Sequence, residues 1–305
     1  MFERTRDLLK NLGLPGGDCH DLPVSGKKFP DGADYRIEIP TVNSVAAFRH
    51  LVKVAKENGT RINRIDDTFG IVRYTQNEIR EYAKIGNGEG IEVNFSVGPR
   101  ATYDTSATRL SAEGVRIGYR IRGMDQMVRA IEDVFRALDL GIRGILVYDE
   151  GMLWVLNELR KQGKLPPKTK FKFSAHNGLS NPVAFKLMHS LGADTVNPVR
   201  DLSIAMMAAF RQVLYIPLDL HTDNPKGSGG FIRTYEAPEI VKVASPVYLK
   251  AGNSALAGHG IKTTLPEAEQ MALQASIVVE MVTRYYPEAV QSESGTADQS
   301  IPEIV

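Results

Sequence analysis

The chain has 305 residues, 43% hydrophobic and 24% charged, which is the balance of a folded protein long enough for one αβ barrel but not for two full domains. With 37 Lys plus Arg against 36 Asp plus Glu, the net charge of +1 gives no bulk field to hold nucleic acid or an anionic membrane. The expected partner is therefore a small-molecule substrate.

Residues 2–12 have helical period and lead into a stretch rich in Gly, Pro and Asp, so residues 1–34 read as an N-terminal arm. From residue 35 onward, short apolar or alternating runs take turns with longer segments of helical period. The strand candidates are 35–39, 60–65, 90–97, 144–148, 170–175, 194–198, 214–220 and 246–250. Helix candidates are 44–58, 75–85, 124–138, 151–162, 181–191, 203–212, 237–243 and 266–286. Gly59, Gly141, Gly163 and Gly192 stand where helices end in a left-handed residue. Eight alternations predict an α/β fold, a single (β/α)8 TIM barrel over residues 35–286.

Residues 287–305 are polar and weakly patterned and read as a short C-terminal tail, either mobile or used between subunits. Together with the arm, this leaves a homo-oligomer as one expectation. No run approaches the roughly 20 apolar residues of a membrane-spanning helix. The first residues carry no apolar segment of a signal peptide, and Cys19 is the single cysteine, so no internal disulfide is expected. The expected location is the cytoplasm.

Positions that face outward from a barrel strand pack on helices and are apolar, so the alternation shows which residues enter the barrel. The fifth strand sends Lys172, Ser174 and His176 inward, and the seventh sends Pro217, Asp219 and His221. The third strand contributes Glu92, Asn94 and Ser96, the first Arg36 and Glu38, and the eighth Tyr248 and Lys250. A barrel built only for stability fills its centre with Val, Ile and Leu, because a buried charge costs several kcal/mol unless paired. One reading of Glu38, Glu92, Lys172 and Lys250 is a set of mutually satisfied ion pairs. The other is a site.

His176, Asp219 and His221, with Asp223 following, come from two strand ends that a barrel brings close together. Imidazole and carboxylate ligands of this kind suit a divalent metal, the one candidate cofactor, and the same groups also suit metal-free proton transfer. Lys250 or Lys172, desolvated beside another cation, could instead form a Schiff base with a carbonyl, although pairing with Glu38 or Glu92 competes with that role. The long connection after the third strand carries Arg100, Arg109, Arg116, Arg120 and Arg122. Arg100, nearest the strand end, is the preferred contact for a substrate anion. Residues 224–230 read as a flexible lid or as backbone amides for an anion, with Arg233 beyond them as a second anion contact; Asp66, Asp67, Asp149 and Glu150 also end strands, and Asp149 could equally cap the following helix.

The run from His176-Asn177 through Asn181-Pro182, then Leu191-Gly192-Ala193-Asp194, Arg200-Asp201-Leu202-Ser203 and Pro217-Leu218-Asp219-Leu220-His221, resembles the barrel of the U32 peptidase family over residues 170–222. The chain departs from that family at Thr222-Asp223, where His-Gly would continue, and it lacks a downstream cysteine-rich segment. It is most similar to single-domain U32-like chains that share patterns such as Gly229-Gly230-Phe231-Ile232-Arg233 and Pro246-Val247-Tyr248-Leu249-Lys250. The resemblance implies a peptidase, but the sequence supplies no recognisable protease constellation, so the leading expectation is a U32-like hydrolase, or other cleaving enzyme, on a small anionic substrate.

On this reading His176, Asp219, His221 and Lys250 are catalytic, and Glu38, Asn94, Arg100, Lys172, Asn177 and Arg233 bind substrate. A Schiff-base lyase and a non-enzymatic metabolite-binding or assembly protein are the alternatives.

Overall fold

Each barrel strand buries one row of side chains against helices: Ile37 and Ile39, Val93 and Phe95, Phe171 and Phe173, and Val247 and Leu249 are all 0% exposed. That apolar layer between sheet and helices is the main core. The computed structural model describes residues 2–98, 116–225, 227, 229–256 and 258–305. Its sheet is a closed parallel barrel in sequential order, β1 Tyr35–Ile39, β2 Arg64–Asp66, β3 Glu92–Ser96, β4 Gly144–Val147, β5 Lys170–Phe173, β6 Thr195–Val196, β7 Leu218–His221 and β8 Val247–Lys250. Closure comes from β1 pairing with β8, with Glu38 opposite Lys250. The expected (β/α)8 architecture is the observed one.

The helices are α1 Glu3–Asn11, α2 Val45–Glu57, α3 Gln76–Glu89, α4 Gly123–Asp139, α5 Glu150–Lys161, α6 Pro182–Ser190, α7 Ile204–Val213, α8 Ala237–Ala244 and α9 Leu265–Tyr285. Ser44, Asp149, Asn181 and Ser203 cap four of them through side-chain oxygens, and Thr75 and Thr264 form capping boxes with Glu78 and Glu267. None of the described helices is long and apolar enough to cross a membrane.

Several boundaries differ from the sequence reading, three of them with a visible cause. In front of β7, the buried guanidinium of Arg211 donates to the carbonyls of Leu214 and Ile216, so this backbone is drawn out of the ladder and the strand starts at Leu218. In front of β2, the side chain of Asn63 accepts the Ile37 amide at 3.0 Å in place of a backbone carbonyl. Helix α3 continues through Gly86, where a Cβ would lie 2.7 Å from Val93 and 2.9 Å from Pro302, so the glycine lets the helix sit close on the sheet.

The tail packs across the N-terminal end of its own barrel. Arg36, 1% exposed, donates to Ser292 at 2.8 Å and to Thr296 and Asp298 at 2.9 Å. Glu92 accepts from the amide and hydroxyl of Ser300, both at 2.9 Å. The arm adds Phe29, whose ring lies 3.9 Å from the Arg36 guanidinium. Polar tail residues thus satisfy charges at the barrel floor that apolar ones could not.

Gly141, just past α4, fixes the end of the tail. It has φ +97°, and a Cβ there would lie 2.0 Å from the Glu303 carbonyl, whose own amide donates to Gly141 at 2.8 Å. Left-handed strain and overpacking each cost about 1–3 kcal/mol, so Gly141→Ala is expected to lower stability by roughly 2–4 kcal/mol in urea denaturation. A change within 0.5 kcal/mol, the usual scatter of neutral surface substitutions at about that size, would show that the tail is not held there.

Candidate active site at the C-terminal face

The barrel axis holds three carboxylates and three cations. Glu38 Oε1 accepts from both Lys172 and Lys250, and its Oε2 accepts from Arg64 Nε at 2.7 Å. Asp66 Oδ2 accepts from the same two lysines at 2.7 Å each, and its Oδ1 from Asn94 at 3.0 Å. Asp219 accepts from Arg64 and, at 2.8 Å, from the Thr195 hydroxyl. All six charged groups are at most 3% exposed. Their formal charges cancel, so a cluster that would be prohibitive as single ions can be buried as a set.

The electrostatics of the set are uneven. Burial raises the Glu38 carboxyl, and the neighbouring cations only partly oppose it. Burial would also raise Asp66, but Lys172 and Lys250 outweigh it and hold that group well below the usual carboxylate range. Burial, aided by Arg64, pushes the Lys172 ammonium down to about 8. In Lys250, burial is overcome by Asp66 and Glu38, which hold the ammonium above its ordinary value. Lys250 is therefore a fixed cation. Lys172 gives up its proton more readily.

Above this cluster, a narrow pocket of about 20 Å³ opens toward the C-terminal ends of the strands, roughly the space that one water needs. Thr41, Asp66, Ser174, His176, Asn197, Arg200, His221, Lys250, Asn253 and His259 line it. His221, the last residue of β7, is 4% exposed, and neither of its ring nitrogens has a hydrogen-bond partner among the described residues. Burial, then Arg200 and Lys250, holds it well below the ordinary histidine range, so the ring is neutral and offers one donor and one acceptor. The Thr41 hydroxyl in the same pocket is likewise buried without a partner. Such atoms cost about 1–3 kcal/mol each unless something else meets them.

Aromatic and imidazole rings form one wall. His176 stacks on Tyr119 at 4.4 Å and meets His259 at 4.2 Å, while the Tyr119 hydroxyl lies 2.7 Å from His259 Nδ1. His259 is pushed down to about 3 by burial and by Arg200 and Lys250, so it too is neutral near pH 7. The Tyr148 hydroxyl is tied to Ser96 at 2.8 Å.

The structure gathers some of the sequence candidates and separates others. His176, His221 and Lys250 line one pocket. Asp219 lies deeper and is committed to Arg64 and Thr195, so the expected His176, Asp219 and His221 metal set does not form. Among the described residues, no group of three or more His, Cys, Asp or Glu is placed to hold a metal ion. Glu38 is inside the charge cluster, while Lys172 and Asn94 border a cavity at the opposite end. Asn177 shapes its own turn, with Oδ1 accepting from the Leu179 amide at 2.5 Å. Arg233 is taken by Glu236 at 2.7 Å and by the Leu202 carbonyl at 2.7 Å and does not reach the pocket. Arg100 lies outside the described residues.

Sequence reasoning missed Arg64, Thr41, Arg200 and His259 as site residues. Arg64 opens a strand of only three residues, too short for its alternation to show. His259 lies in the connection after β8, where its glycine-flanked position gave the only signal.

No protein-family model matches the chain, and no curated protein matches it. Among solved structures, a putative fructose-1,6-bisphosphate aldolase from Coccidioides immitis is similar at 16% identity with a TM-score of 0.51, over 83% of this chain and 92% of that one. A truncated 3-deoxy-D-arabino-heptulosonate 7-phosphate synthase from Thermotoga maritima is similar at 12% identity and a TM-score of 0.50, over 90% and 96% of the two chains. A U32 peptidase shows 15% identity and a TM-score of 0.42, over 65% of this chain and 73% of that one. The first two likenesses agree with the closed eight-stranded barrel seen here. The relationship is a distant one of fold, shared by several families with different chemistries.

Stability should carry the mark of His221. The ring stays neutral in the folded protein, whereas the unfolded chain binds a proton below about pH 6.5, so its contribution is present above that pH and lost as pH falls. Asp67, raised to about 6 by burial, acts in the opposite sense, gaining stability as it protonates. The wild type minus His221→Gln difference isolates the histidine: between pH 7.5 and 5.5 it should fall by up to about 1.4 kcal/mol per pH unit below 6.5. Parallel stability curves for the two proteins would mean that His221 is not buried neutral.

Proposed function

We propose that the chain is an enzyme acting on a small anionic substrate at the C-terminal face, where the pocket above the charge cluster seats the attacking water, with hydrolysis as its reaction. The observation that supports this is His221, a buried neutral imidazole with both nitrogens unpartnered beside the fixed cation Lys250 and the guanidinium of Arg200. In this reading His221 removes a proton from water, and the hydroxide so formed attacks the electrophilic carbonyl or phosphorus of the substrate. Lys250 and Arg200 hold the substrate anion and the charge that develops on oxygen. The leaving group departs with a proton returned from the His221 imidazolium or from the Tyr119–His259 pair. The U32-like resemblance over residues 170–222 agrees with hydrolysis.

The test is turnover of a panel of small carboxylate and phosphate esters and amides. His221→Gln should lower kcat by about 10² or more with KM little changed, as for loss of a general base. Arg200→Gln should raise KM. A panel on which the wild type binds but never turns over would favour a metabolite-binding protein instead.

One observation favours a second reading, a Schiff-base lyase: the Lys172 amine, pushed down to about 8, is the more nucleophilic of the two lysines. Lys250, held protonated, is not suited to that role. Borohydride reduction in the presence of small aldehydes or ketones, followed by peptide mass mapping, should leave Lys172 unmodified if hydrolysis is the reaction. A stoichiometric adduct on Lys172 would transfer the assignment to the lyase.

A further inference from the structure

The roomier cavity in the molecule is at the other end of the barrel. It has a volume of about 330 Å³, within the range of small-molecule sites, whereas the C-terminal-face pocket has about 20 Å³. Its inner wall carries three cations, Arg36, Arg64 and Lys172, each at most 2% exposed. A guanidinium has five N–H groups and an ammonium three. Arg36 donates to Ser292, Tyr248, Thr296 and Asp298, which leaves one N–H over. Arg64 donates twice to Glu38 and once each to Asp219 and Thr195, which again leaves one. Lys172 donates to Glu38 and Asp66, and its next acceptor, Asp219, is 3.7 Å away, beyond hydrogen-bond reach.

The acids bordering the same space are already occupied. Glu92 accepts from Tyr248 at 2.6 Å and from Ser300, Asp298 from Arg36, and Asp194 from Arg160 at 2.6 Å. Each bordering acid is thus paired, while the three buried cations keep N–H groups over. The rest of the wall is largely apolar, with Phe29, Phe171 and Tyr248 among its members.

We infer that this cavity is a second binding site, for a small organic anion whose carboxylate or phosphate meets the spare N–H groups of Lys172 and Arg64 and whose apolar body lies against the aromatic wall. Oxygens of such a group would complete these two buried cations without displacing any existing ion pair. The site is separate from the proposed catalytic pocket, since His221 and Arg200 border only the latter.

Isothermal titration calorimetry with benzoate and with phenyl phosphate tests this. Saturable 1:1 binding is expected in the wild type, unchanged in His221→Gln, weakened about tenfold or more in Lys172→Met for loss of a charged hydrogen bond, and abolished in Ile216→Trp. Ile216 lines the cavity and is only partly buried, so the larger side chain fills the space without touching the charge cluster, and it decides the matter even if Lys172→Met does not fold. No saturable heat from either probe up to about 10 mM, the weak end of small-ligand affinity, would overturn the assignment. So would binding that survives Ile216→Trp or disappears in His221→Gln.

Discussion

Everything at the barrel centre depends on one arrangement: two ammonium groups, Lys172 and Lys250, sharing the same two carboxylate oxygens, Glu38 Oε1 and Asp66 Oδ2. Desolvating any one of these ions alone would cost several kcal/mol, and only their mutual contact offsets it. The register makes this contact, since β1 places Glu38 opposite Lys250 on one side and Arg64 on the other. Burial and partnership then act differently on the two lysines. One is held as a cation, and the other gives up its proton more readily.

The two ends of the barrel handle their polar groups in different ways. At the N-terminal end, the tail supplies Ser292, Asp298 and Ser300 to Arg36 and Glu92, so the floor is built by chain that looks featureless in sequence. At the C-terminal end, His221 and Thr41 are buried without protein partners. The lower end thus meets most of its charges with tail residues, while the upper pocket leaves a neutral imidazole and a hydroxyl open.

The barrel itself was legible because each βα unit repeats its two periods, two along strands and 3.6 along helices, and because caps such as Asp149 and Asn181 are local signals. Inward-facing Glu38, Lys172, Asp219, His221 and Lys250 followed from the same alternation. The metal set failed because alternation gives direction but not depth: Asp219 lies one inward position below His221 and meets Arg64 there. Arg64 was hidden by a three-residue strand, and Arg233 was lost to Glu236, a partner only three residues away.

The sequence by itself determined the order of elements, the eightfold repeat and the polar character of the barrel interior, since all three are written in local spacing. Which ions pair, which histidine is left without a partner, where the tail lies and which end holds the larger cavity were decided only by tertiary structure. Those outcomes depend on contacts between residues as far apart as Arg36 and Asp298 or Glu38 and Lys250, and on a competition for partners that no local pattern records.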